Sequence, residues 1–337
     1  MHQVGSSGVW YRSFQLSRRT RMAYAFSPLP VPDLKSPGKS WGTYMTSLRT
    51  DPLNPRVLDF EKDPDDPSDS TMRFSLLELA GAPGQPWSAP TEPLRWSVEH
   101  HHVRSKFLRS SRSVWVYLPP DYDARSRRYN LVIVFDGVVY RSAVPTPQIV
   151  QNLVSARKIG PTVLVLVGSA PGARQKELAY NRAFVDSLGR ELVPWLRRRY
   201  RLRIDPSRTV VAGSSLGGLT AAYATFRYPR LFGNALAQSG TFHFSEDGFE
   251  GNPTLIGEYA RAARLPLRFY LDAGTLENTS FPGQPVSLLG AVRHMRDVLR
   301  AKGYSVTHAE FEGGHDYACW AGTMADGLIC LLGTRQR

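Results

Sequence analysis

The segment Gly213-Ser214-Ser215-Leu216-Gly217-Gly218 limits the fold more than any other stretch of the 337 residues. It lies between residues 209–212, an apolar β-branched run that reads as a strand, and residues 216–228, which read as a helix closed by Pro229. A G-x-S-x-G sequence in that context is a sharp strand-to-helix turn with a serine at its apex. Gly213 and Gly217 are expected where side chains would strike neighbouring backbone. Ser215 then stands at a helix N-terminus, where free N–H groups and the helix dipole favour negative charge. The N–H of Leu216 points to the place where an oxyanion would form.

Such a turn needs a parallel sheet around it, and the flanking sequence supplies one. Residues 131–135 and 162–167 are continuous apolar runs, as expected of strands buried on both faces. Residues 98–106, 113–118, 234–238, 268–271 and 306–311 read as further strands. Helical periods cover residues 175–200, 286–301 and 317–332. Strands alternating with helices predict an α/β class: an α/β-hydrolase type of mostly parallel sheet with helices on both faces. This domain is expected over residues 97–337. Residues 1–90 have a different texture. Short strand-like bursts flank a stretch rich in Pro, Asp, Ser and Gly over residues 31–72, with an acidic loop at 62–70 and no helical period. They predict a small β-rich domain joined through a linker at 80–93.

A serine needs a base and the base needs an orienting acid, and in this fold they follow the nucleophile in the order acid, then base. His315 fits as the base. It follows the last predicted strand in Phe311-Glu312-Gly313-Gly314-His315-Asp316, in a loop made permissive by two glycines. Asp316 reads as a local cap. His294, within a helix, and His308, within a strand, read as structural. Glu277, three residues beyond Gly274, is the expected acid, while Asp272 lies inside the preceding strand and reads as structural. The second oxyanion donor is expected from the loop after residues 131–135, as the N–H of Gly137 or Val138, with Asp136 available to brace that loop. The run His100-His101-His102 alternates between strand faces, so its three rings are not expected to converge on a metal.

Composition narrows the classes further. No window approaches eighteen uninterrupted apolar residues, so no membrane span is expected. The first residues lack the basic and apolar regions of a secretory signal, which points to a cytoplasmic protein. The two cysteines, Cys319 and Cys330, cannot build a disulfide framework or a cysteine metal site. Of the net charge of +13, residues 1–90 carry +1 and the remainder +12. No nucleic-acid recognition motif accompanies this excess, so nucleic acid is not an expected partner.

These residues together resemble the enterochelin (enterobactin) esterases, a branch of the esterase-D-like α/β-hydrolases. The likeness runs through Val114-Trp115-Val116-Tyr117-Leu118-Pro119-Pro120, Val134-Phe135-Asp136-Gly137, the stretch from Arg174 to Phe184, Glu191-Leu192-Val193-Pro194-Trp195, the Ser215 turn, Gly313-Gly314-His315-Asp316 and the tail from Cys319-Trp320 to Gly327-Leu328. Residues 1–90 resemble the later part of that family's β-sandwich domain, in a reduced form. Ser214 stands where the family more often has Gln. The resemblance implies a serine esterase that hydrolyses the lactone bonds of a catecholate trilactone siderophore such as ferric enterobactin, through an acyl-enzyme on Ser215. It implies Arg174 as a substrate-binding residue and an anionic small molecule as the partner. No metal or organic cofactor is expected, iron(III) arriving only within the substrate. A ferric tris-catecholate is a trianion, and the +12 excess would raise its on-rate in a salt-dependent way. Three rival expectations remain: an esterase of the same fold acting on another acyl substrate, such as an acylated peptide or a carbohydrate ester; an acyltransferase or macrocyclase of that fold; and a non-catalytic siderophore-binding protein.

Overall fold

A computed structural model describes residues 2–8, 10–32, 38–123, 125, 128–245, 254–280 and 286–333. The chain opens with a two-stranded hairpin, β1 (His2–Gln3) and β2 (Trp10–Tyr11). A three-stranded antiparallel sheet follows in the order β3-β5-β4, from β3 (Arg21–Tyr24), β4 (Val57–Phe60) and β5 (Met72–Glu78). Helix α1 (Gly38–Ser47) lies between β3 and β4, in the stretch whose Pro, Ser and Gly content predicted no helix. Its partly buried Tyr44, Met45 and Ser47 give it an inner side, too polar in composition to register as an apolar stripe.

The remaining strands form one eight-stranded sheet. These are β6 (Ser97–Ser105), β7 (Ser110–Leu118), β8 (Asn130–Phe135), β9 (Thr162–Val167), β10 (Thr209–Ser214), β11 (Asn234–Gln238), β12 (Arg268–Gly274) and β13 (Ser305–Phe311). Their spatial order is β13-β12-β11-β10-β8-β9-β7-β6, parallel from β13 to β9 and antiparallel at the β7 and β6 edge. β8, β9, β10 and β11 are buried along their whole length, which explains why they lack polar alternation. Helices α2 (Thr146–Ser155), α3 (Arg174–Leu178), α4 (Arg182–Ser187), α5 (Val193–Tyr200), α6 (Leu216–Arg227), α7 (Leu255–Arg261), α8 (Leu288–Ala301) and α9 (Tyr317–Leu332) complete the domain. Two separate apolar cores result. One contains α6, α7 and α8, the other α2 and α9.

The single helix expected over residues 175–200 is divided. Tyr180 takes a left-handed φ of 56°, and Asn181 restarts the chain by accepting the Phe184 N–H at 3.0 Å. Pro194 has no N–H to give. Just before it the helix widens over Leu188–Leu192, so that the Val193 N–H reaches the Leu188 carbonyl.

The strand order reverses between β8 and β10, because the chain runs outward to β9 on one side and to β10 on the other. Crevices at such switch points, beyond the carboxyl ends of the strands, are where open α/β sheets bind ligands. The Asp136 loop leaves β8 there and Ser215 leaves β10.

Candidate active site

Ser215 occupies φ 57°, ψ −121°, a conformation a serine adopts only when its surroundings force it. The enforcement comes from both sides. Its N–H donates to the Gln238 carbonyl at 2.8 Å, and its own carbonyl accepts from Leu219 (3.1 Å) and Thr241 (3.2 Å). A Cβ on Gly213 would come within 2.8 Å of the Gly217 carbonyl carbon, so a larger residue there would break the turn. Gly217 differs from expectation. A Cβ at that position would make ordinary contacts with the Asp136 side chain (Oδ2, 3.5 Å) and with Phe135 Cβ (3.6 Å). The tight approach is at Gly218 instead, 3.1 Å from Gly240 Cα. Ser214 is wholly buried. Leu216 begins α6, so its N–H is one of the four that no helical carbonyl can take.

His315 follows β13 by four residues, and its Nδ1 lies 2.6 Å from Glu277 Oε1. The two were 38 residues apart in sequence and are brought together because β12 and β13 are adjacent strands. With Nδ1 engaged, Nε2 is the nitrogen open to proton transfer. The His315 side chain is 32% exposed and that of Glu277 only 2%. Glu277 Oε2 accepts the Gly274 N–H (2.6 Å) and the Ser239 hydroxyl (2.7 Å). Ser239 in turn accepts the Trp320 indole N–H at 3.2 Å, and the Trp320 ring meets His315 edge-on, 4.8 Å between centroids. Sequence reasoning missed Ser239 and Trp320. The signal available for Ser239 was its position one residue past β11, level with Ser215 past β10.

Asp272 lies inside β12 and is fully buried, its Oδ1 accepting the Ser239 N–H at 3.2 Å. Burial pushes its carboxyl up to about 8, and the charge of Glu277 adds to the rise. Asp316 caps α9 through the Ala318 N–H (2.8 Å) and also accepts the Ala23 N–H from the N-terminal sheet. That sheet also packs Phe60 against Tyr317 at the start of α9, and Gln85 in the linker donates to the Ala318 carbonyl (2.8 Å). His294 is exposed on α8, and His308 bonds Glu310 at 2.9 Å, so neither joins the site.

The β8 loop separates its two oxyanion candidates. The Gly137 N–H donates to the Val167 carbonyl at 3.1 Å and is not available. Gly137 is required for another reason: a Cβ there would lie 2.9 Å from the Trp115 ring. Val138 is the remaining donor. Asp136, at φ 54°, takes a bidentate pair from Arg174, 2.7 Å from both Nε and Nη2. Arg174 is therefore committed to bracing this loop. Nη1 alone among its guanidinium nitrogens is not bonded to Asp136, and the side chain borders a cleft of about 230 Å³ with Val138, Phe60 and Met72.

The histidine run divides between the two strand faces as expected, but two of its rings meet a carboxylate from elsewhere in the chain. His101 does turn away, its Nε2 lying 2.7 Å from the Tyr200 hydroxyl. His100 and His102 share the other face and converge with Asp65 of the acidic loop, the three ligand atoms lying within 4.8 Å of one another. Among the described residues no helix is long and apolar enough to cross a membrane.

Fold and site together are those of an α/β-hydrolase. The chain belongs to the family described as "Putative esterase", whose model matches residues 105–331, and is a carboxylic ester hydrolase. Residues 1–88 match the model "Enterochelin esterase, N-terminal". The chain is 29% identical to an iron(III) enterobactin esterase of Escherichia coli, over 98% of this chain and 81% of that protein. It is 25% identical to an iron(III) salmochelin esterase of the same species, over 99% and 80%. A solved structure of the enterobactin esterase from Shigella flexneri in the presence of enterobactin is similar with a TM-score of 0.77 and 27% identity, covering 98% of this chain and 83% of that one.

Proposed function

We propose that this enzyme hydrolyses the lactone bonds of a catecholate trilactone siderophore such as ferric enterobactin, with Ser215 as nucleophile, His315 as base and Glu277 as orienting acid. The chemistry rests on one observation above the others: the 2.6 Å bond from Glu277 to His315, on the same end of the sheet as the strained Ser215 turn. The choice of substrate rests on similarity along nearly the whole chain to esterases of that substrate class.

Ser215 Oγ attacks the lactone carbonyl while His315 Nε2 takes its proton. Glu277 holds the imidazole in the tautomer with Nε2 unprotonated and then stabilises the imidazolium. The N–H groups of Leu216 and Val138 receive the oxyanion. Collapse releases the alcohol, which takes the proton back from His315. Water then clears the acyl-enzyme by the same steps in reverse roles. Arg174 reaches substrate only through Nη1, its main task being to hold Asp136. The positive excess beyond residue 90 favours a polyanionic substrate. Action on a ferric siderophore after uptake fits a cytoplasmic enzyme.

The test is incubation with a cyclic catecholate trilactone, with and without iron, and resolution of the products by mass. Linear acids that accumulate with wild type and not with Ser215→Ala are the expected result. A conjugate or a re-formed ring would make the enzyme a transferase. Binding without turnover would make it a binding protein.

A further inference from the structure

We propose that Asp65, His100 and His102 form a binding site for one divalent transition-metal ion, a site separate from the hydrolytic centre. The site joins two parts of the chain. Asp65 belongs to the acidic loop after β4, while His100 and His102 stand two residues apart on β6 and so project from one face. Two imidazoles and a carboxylate suit Zn²⁺, Co²⁺ or Fe²⁺ and leave positions open for water. Tetrahedral coordination at ~2.0–2.1 Å brings ligand atoms to roughly 3.3 Å from one another. The present limit of 4.8 Å is closed by small side-chain rotations.

The ligands are oriented in advance. His100 stacks on Trp115, with centroids 4.9 Å apart and planes 6° from parallel. Its Nε2 lies 2.6 Å from the hydroxyl of buried Ser113, and Ser113 also donates to Asp65 Oδ2. His102 Nε2 lies 2.9 Å from Asp65 Oδ1. A cation would take over a position that these groups now fill with shared protons, while Ser113 would keep its bond to Asp65 Oδ2 and so orient that carboxylate.

The electrostatics of the loop point the same way. In a chain of net charge +13, residues 63–69 carry four aspartates and no basic residue. Arg141, which lies over the Trp115 ring on which His100 stacks, is itself paired with Glu61 at 3.4 Å. Asp63, Asp66 and Asp69 also border the cleft that contains Val138 and Arg174, so the metal would fasten this loop to the edge strand beside the site.

The experiment is titration of the full chain with ZnCl2 by calorimetry, and with CoCl2 by visible absorption, at neutral pH. One site of micromolar affinity is expected, with Co²⁺ ligand-field bands. His100→Ala, His102→Ala and Asp65→Asn should each weaken binding about 10–100-fold. His101→Ala should leave it unchanged, because that ring lies on the opposite face. If an alanine variant does not fold, His102→Gln supplies the same comparison. Binding weaker than roughly 100 μM, or an equal loss in His101→Ala and His102→Ala, would overturn the proposal by reducing it to adventitious capture by surface histidines.

Discussion

Ser215 and His315 are held by opposite means. Ser215 is fixed by backbone: its amide and carbonyl are both hydrogen-bonded, and the close packing of Gly213 and Gly218 leaves the turn no other shape. His315 is fixed by side chains that come from after β12, after β11 and from α9, namely Glu277, Ser239 and Trp320. A backbone-held group is either in place or lost with its turn. A group held by a relay of side chains can be detuned by degrees, one partner at a time. The nucleophile end should thus respond to mutation in an all-or-none way, and the base end in graded steps.

The largest effects remove the reacting groups themselves. Ser215→Ala and His315→Ala should each lower kcat by about 10⁴–10⁶-fold, and the double variant should fall no further, because the two act as a unit. Additive losses in a single-turnover assay would show that they do not. Glu277→Gln comes next. The glutamine fills the same space but can neither hold a charge against the imidazolium nor enforce the tautomer, so a loss of about 10²–10⁴-fold is expected with KM little changed. Ser239→Ala removes one hydrogen bond from Glu277 and should cost about 3–10-fold in kcat. The graded reading fails if Ser239→Ala is as damaging as Glu277→Gln.

What the sequence made legible follows the same division. The Ser215 turn is a local event, written in six consecutive residues, and a strand before it and a helix after it are enough to recognise it. The buried strands were legible because burial on both faces leaves a short apolar run, and the Val and Ile content and length of these runs separate them from buried helix. The relay around His315 was legible only where chain order constrains it. Ser239 contributes through one hydroxyl one residue past β11, and its place level with Ser215 was the one signal in the sequence, the partner becoming evident only when β12 brings Glu277 beside it. The same limit applies to Asp65, which meets His100 and His102 only because the acidic loop folds against β6. Gly137 illustrates a subtler gap. Its glycine character was evident, but whether its amide was free depended on the Val167 carbonyl in the neighbouring strand. Helix α1 was hidden because its inner side is polar, and the division of residues 175–200 because the apolar period runs on across the breaks that Tyr180, Asn181 and Pro194 make in the backbone.

Asp272 provides the smallest expected effect on activity and the sharpest check on which carboxylate serves the histidine. It is wholly buried and close to Glu277, and burial raises it to about 8. Near neutral pH it therefore keeps its proton and brings no charge of its own to bear on His315. In the unfolded chain the same carboxyl ionises near pH ~3.9. Between those two values the folded state binds one proton more than the unfolded state, so stability falls as pH rises from about 4 to about 8 and is level above. Asparagine mimics the protonated acid and cannot titrate. Asp272→Asn should keep kcat within about threefold of wild type near neutrality and flatten that decline, which urea unfolding at pH 5 and pH 8 would measure. Parallel stability profiles for the two proteins would mean that Asp272 is ionised in the fold. A disabling Asp272→Asn beside a tolerated Glu277→Gln would exchange the roles of the two carboxylates.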